Sequence, residues 1–235
     1  MYRFNNMRQI SLKASSGSKG QSFVELSLVV LVLMLLVAGI AEFGVLLNRY
    51  LNLVDGVRES ARYGANYDPF APCAPDSTGV VHGVVDTDGI CSDYYQSSAQ
   101  EATDVITPIK MNPGIGDDIV ISIFAITDTN SCRYPSDGTG EDGWSWAFHV
   151  EGLPHANHTS AQSKASILAQ MTTGVGTPAV SLMLVEIFYN YPQTLKAPFY
   201  EQFFPDPVPV YTYAIMPLKN ITPPVGDPCA APTTP

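Results

Sequence analysis

Acidic side chains are missing from the start of this chain: no Asp or Glu precedes Glu25, whereas Arg3, Arg8, Lys13 and Lys19 all fall in the first twenty positions. Proline is missing from Met1 to Pro69, so no residue there removes a helical backbone donor. The signatures of common enzyme classes are also lacking. There is no GxSxG, HExxH, P-loop or Rossmann glycine pattern, and so no recognisable catalytic constellation; the chain is not expected to be an enzyme, and no catalytic residue or cofactor is assigned. No CxxC pair occurs, which removes the usual zinc or redox spacing. Basic residues are too few overall, with a formal net charge of -10, for the cationic face that nucleic-acid binding needs.

What is present is unevenly distributed. Beyond residue 20 the chain holds 8 basic against 22 acidic side chains. Between these differently charged parts runs LSLVVLVLMLLVAGIA, Leu26 to Ala41, sixteen residues without a charge. After Glu42 the apolar character resumes through Leu47, and the 22 residues from Leu26 are about enough to cross a ~30 Å hydrocarbon core. A basic flank beside such a run marks the cytoplasmic side. The chain therefore reads as a single-pass protein of the cytoplasmic membrane, N-terminus inside and C-terminal part outside, with the lipid bilayer as a partner.

Past Leu47 the pattern becomes amphipathic. Leu47, Tyr50, Leu51, Val54, Val57 and Ala61 recur at three- and four-residue spacing and are expected to form the stripe that packs on the domain. One helix is expected from about Phe23 to Tyr63. Residues 66 to 96 read as loop, and 97 to 110 as a short helix with Ser98 as its cap. Strands are expected at Ile119–Thr127, Trp144–Val150, Ala179–Tyr191 and Val208–Met216, with a short helix over Ser160–Met171. The fold class is thus α+β: a long transmembrane and amphipathic helix, then an exoplasmic domain with an antiparallel sheet. The expected divisions are a leader over 1–20, the helix over 21–64 and the outer domain over 65–235.

The junction of leader and apolar run reads Gly20-Gln21-Ser22-Phe23-Val24-Glu25. A glycine followed at the fifth position by a glutamate resembles the processing site of type IV pilins and pseudopilins. More specifically, the stretch from Gly20 to Ala65 is similar to the TadE-like family, pseudopilins of the Tad (Flp) pilus system. The resemblance rests on the GQ before the VE pair, on Gly39, Ile40, Glu42, Phe43 and Gly44, and on Arg58, Ala61, Arg62, Tyr63, Gly64 and Ala65. It covers roughly 45 residues, with a looser likeness at Val185-Glu186-Ile187-Phe188-Tyr189-Asn190-Tyr191-Pro192. One departure is Leu26, where many members carry an aromatic residue.

The resemblance implies cleavage by a prepilin peptidase between Gly20 and Gln21. It also implies a pilin-like fold and an assembly role among other pilin or pseudopilin subunits, in a pilus or a related secretion apparatus. A carboxylate buried in an apolar helix bundle is costly unless paired, so Glu25 would meet a new α-amino group. Two alternatives stand beside this: a soluble domain released by signal peptidase near Ala41, and an unprocessed membrane-anchored surface binding protein.

Cys73, Cys91, Cys132 and Cys229 all lie in the outer part, where an oxidising compartment would favour disulfides, and three pairings are open. His155 and His158 form an HxxH within a loop, too few ligands for a metal site. The acidic turns at Asp86–Gly89 and Asp137–Gly143 lack EF-hand spacing and read as solvated loops. No metal site is assigned.

Overall fold

The computed structural model describes residues 18–69, 92–126, 131–134, 143–149, 158–171, 180–196 and 205–219. Two compact units divide the chain between Gly44 and Val45. One helix, α1, runs Ser18–Gly64 and contributes to both. In the first unit its side chains are mostly exposed, Phe23, Leu33 and Ile40 among them. The one hydroxyl in the apolar run, on Ser27, turns back to donate to the Val24 carbonyl at 2.8 Å. Such local bonding lets a polar side chain sit in an apolar stretch.

The second unit is a five-stranded antiparallel sheet with helices. Strands β1 (Asp118–Ile126), β2 (Ser131–Tyr134), β3 (Trp144–Ser145), β4 (Val180–Tyr191) and β5 (Val208–Pro217) pair in the order β2-β1-β4-β5, with β3 also on β1. The register sets Ile121 opposite Val185, and Glu186 opposite Tyr213. Every residue of β1 is buried. That is why IVISIFAI reads as a continuous apolar run rather than an alternation: both faces are covered. Ile119, Ile121 and Ile123 join the larger core cluster with Leu53, Val57 and Ala61 of α1, while Phe124 joins a smaller one with Ile167, Leu182 and Leu184.

Helix α2 (Ser92–Val105) lies in the larger cluster through Tyr95, Ala99 and Ala102. It begins earlier than expected, with Asp93 in its first turn, where a carboxylate favours the helix dipole. Ser98 is therefore not a cap. It is a buried mid-helix residue that donates to the Tyr94 carbonyl at 2.8 Å, and its own carbonyl accepts from Ser60 at 2.7 Å.

The second expected strand is also shorter. After Trp144 and Ser145 the chain turns into a short helix, α3 (Trp146–His149). The cause is Asp118, whose buried carboxylate accepts from Ser145 Oγ at 2.7 Å and from the Ala147 N–H at 2.8 Å, while Ser145 Oγ accepts from the Phe148 N–H. These bonds bend the backbone away from the ladder. The helix expected over Ser160–Met171 begins only at α4 (Lys164–Met171), where Ser163 Oγ caps the N–H of Ser166. β1, β4, β5 and α1 lie within a few residues of the expected bounds, and β2 was not expected.

Candidate functional site

The residues singled out from sequence lie mainly along α1. Gly20, Gln21 and Glu25 are helical and exposed. A Cβ at Gly20 would meet nothing within 4 Å among the described residues, so packing there does not call for glycine. Gly44 is equally open, whereas Gly56 and Gly64 are not. A side chain at Gly56 would run into Ile106, and one at Gly64 into Met183. The missing Cβ atoms let α2 and β4 approach the helix, and Tyr94 Oη donates to the Gly64 carbonyl at 2.9 Å to hold that approach.

The expected packing stripe needs correction. Val57 and Ala61 are fully buried, but Leu47, Tyr50 and Leu51 remain 45%, 40% and 52% exposed, with Val54 intermediate. The buried face is instead Leu53, Gly56, Val57, Ser60, Ala61 and Gly64. The physical reason is that the domain packs on the side of small residues spaced by four, where the backbones come closest. Hydropathy alone gave Gly56 and Ser60 no weight; their four-residue spacing with Gly64 was the available signal.

A second feature escaped the sequence reading. Glu186, in the middle of β4, is fully buried and collects donors from several elements. Ser160 Oγ makes a short hydrogen bond to its Oε2, the Ala161 N–H donates to Oε1 at 3.0 Å, and Tyr211 Oη donates to Oε1 at 2.7 Å. The Arg133 guanidinium stands 3.9 Å from Oε2 and donates to Ser122 Oγ at 2.6 Å. Burial pushes the Glu186 carboxyl above its usual range, against the hydrogen bonds and Arg133, which pull it down. Asp118 is raised for the same reason, and it accepts the His158 N–H at 3.2 Å.

These contacts tie residues 158–162 onto the sheet. Glu186 is fully buried and its carboxylate is met by donors from Ser160, Ala161 and Tyr211, so the arrangement is a structural tie. The signal for it was a lone carboxylate within an otherwise apolar strand. His158 belongs to the same tie: its ring stacks on Phe188 at 4.4 Å and its Nε2 lies 2.8 Å from the Gly116 carbonyl, a contact a metal ligand would have to give up. His155, Asp86–Gly89 and residues 137–142 lie outside the described residues. Cys132 is buried on β2 and carries no free thiol. Cys73, Cys91 and Cys229 lie outside the described residues, and no pairing is described.

With an exposed apolar helix leading into an antiparallel α+β unit, the comparison with known families becomes decisive. Residues 20–62 match the family of TadE-like proteins. The match begins at Gly20 and covers the segment on which the resemblance was read except Tyr63, Gly64 and Ala65. No curated protein and no solved structure matches the chain. TadE-like proteins are pilus structural or assembly components and are not known as enzymes. The TadE-like segment contains the apolar helix, and the two together fit a single-pass membrane protein.

Proposed function

We propose that this protein is a TadE-like pseudopilin, a minor structural or assembly subunit of a Tad-type pilus or related secretion apparatus, matured by a prepilin peptidase after Gly20. The observation that carries the reading is the family match that begins at Gly20 and runs through the exposed apolar helix into the buried part of α1. Gly20 supports it further. A glycine inside a helix costs about 1 kcal/mol relative to alanine, and nothing packs against this one among the described residues. A residue with a cost and no packing role fits recognition by another protein.

In this reading Glu25 pairs with the new α-amino group of a subunit as the helices bundle, and the exposed Leu47, Tyr50 and Leu51 face neighbouring subunits. The leader stays in the cytoplasm and the sheet unit lies outside, where Cys132 forms a disulfide with Cys73, Cys91 or Cys229. The acidic domain was equally compatible with a surface binding protein, but the processing motif favours the assembly role.

The test is the N-terminal sequence of the mature protein from envelope fractions, beside Gly20→Ala. A start at Gln21, lost in the variant, is expected. A start at Glu42 would make this an exported soluble domain, and retention of Met1 an unprocessed anchor; either would refute the proposal.

A further inference from the structure

Contacts inside the second unit fix the direction in which α1 enters it. Gly56 lies against Ile187 and Gly64 against Met183, so descending residue numbers on the helix follow ascending ones on β4. The helix therefore comes in at the end of the sheet where β1 begins, β4 ends and β5 begins. Leu46 and Val208, both partly buried on the same core cluster, agree with this. From Gly56 to Leu47 the helix covers about 13 Å. From Ile187 to Tyr191 the strand covers about 13 Å too. The turns at this end of the sheet are thus level with the last residue of the 22-residue apolar run.

Those turns carry side chains unsuited to water. Ile115 and Leu195 are each 48% exposed. Both sit on braced backbone: the Ile115 carbonyl accepts from Asn190 Nδ2 at 2.9 Å, and Gln193 bonds Asp206 Oδ1 and the Pro205 carbonyl, each at 3.1 Å. Beside them stand two exposed lysines, Lys110 and Lys196, in a unit that is otherwise strongly acidic. Of the acidic groups at this rim, Asp117 is turned inward to the N–H groups of Asn112 and Asn190, and Asp206 lies 3.8 Å from Lys196 Nζ.

We propose that this rim rests in the headgroup region of the bilayer that α1 spans, with Ile115 and Leu195 dipping toward the acyl boundary and Lys110 and Lys196 on lipid phosphates. The headgroup layer is about 5–7 Å deep on each side of the hydrocarbon, enough to take exposed side chains at this level. Lysine stems lie along apolar surface while their ammonium groups reach the phosphates. The contact would hold the sheet unit at a fixed orientation on the membrane, a useful property in a subunit that must be presented to an assembly machine. The proposal rests on the reading of α1 as a membrane span.

The experiment uses the full chain reconstituted in vesicles of phosphatidylglycerol and a phosphatidylcholine brominated near the headgroup. Tryptophan is placed singly by Ile115→Trp and Leu195→Trp, with Tyr67→Trp near the other end of the buried helix as reference and Leu33→Trp as a probe of the span. The wild-type emission of Trp144 and Trp146 is subtracted. Quenching of Ile115→Trp and Leu195→Trp at least twice that of Tyr67→Trp is expected, and adding Lys110→Gln with Lys196→Gln should lower it.

If both rim positions behave as Tyr67→Trp while Leu33→Trp is quenched, the rim proposal is wrong and the rim faces water or another subunit. If Leu33→Trp is not quenched either, the membrane reading itself fails and the rim proposal with it. Quenching at the rim that ignores both lysine substitutions would overturn the assignment of Lys110 and Lys196 to lipid phosphates.

Discussion

The two parts of α1 form one unbroken helix but are stabilised in opposite ways. Up to Gly44 the helix has no proline, and its side chains are mostly exposed and suit lipid. From Val45 it is held by specific contacts: Leu53 and Val57 are fully buried, Ser60 bonds the Ser98 carbonyl, and Gly64 accepts from Tyr94. The first part needs only apolarity and length, properties shared by many sequences. The second needs particular residues at particular positions, because a packed interior tolerates little change of volume.

The sharpest break of that contrast sets a charge in the packed part against a truncation in the exposed part. Val57→Asp should prevent the sheet unit from folding, since it buries an unpaired carboxylate at a cost well above ~4 kcal/mol. Leu33→Ala should leave that unit's unfolding unchanged. Loss of near-ultraviolet circular dichroism on heating reports both, and equal effects would contradict the contrast. Next in size, Leu53→Ala should destabilise the unit by about 2–5 kcal/mol, the usual range for emptying a buried leucine site.

Glycines sharpen the comparison further. Gly56→Ala should cost about 1–3 kcal/mol, because the added methyl meets Cγ2 of the fully buried Ile106, a stiff β-branched side chain that cannot easily move aside. Gly44→Ala, with open space around it among the described residues, should be neutral or stabilising by up to about 1 kcal/mol. Chemical denaturation of the two variants side by side would show opposite signs.

A smaller effect concerns pH. Asp117, Asp118 and Glu186 have carboxyl groups raised by burial in the folded state. The folded form then binds protons more readily than the unfolded one. Their contribution is fully present below the unfolded value of about 4 and is lost as pH rises through the raised folded values. Stability of the unit should therefore increase on mild acidification from neutral pH, the reverse of a fold whose carboxylates are depressed by ion pairs. Glu186→Gln should make the dependence shallower. A melting temperature that falls steadily from pH 7 to pH 5 in the wild type would sink this account.

Much of the fold could be read before the structure was seen. β1 and β4 were visible because covering both faces of a strand leaves a near-continuous run of Val, Ile and aromatic residues, and the partly buried edge strand β5 because Tyr211 and Tyr213 alternate with Val210 and Thr212. α1 was visible because nothing in it competes with a helix. β3 was misjudged: WSWAFHV has strand composition, but Asp118 supplies hydrogen bonds that no local pattern announces. β2, only four residues long, contains a cysteine and an arginine whose burial depends on Ser122 and Glu186, far away in sequence. The proposed processing residues Gly20 and Gln21 and the proposed pairing residue Glu25 were read from a motif, and their exposed setting fits a role outside the fold.

The order of basic N-terminal stretch, apolar helix and antiparallel sheet was legible in the residues alone, because charge asymmetry, run length and side-chain period are local properties. Only the tertiary structure decided which face of the helix is buried and how Glu186 is accommodated. Both depend on how closely distant backbones approach. That closeness comes from Cβ atoms that Gly56 and Gly64 lack, and from donors on Ser160, Ala161, Tyr211 and Arg133 that meet only once the chain has folded.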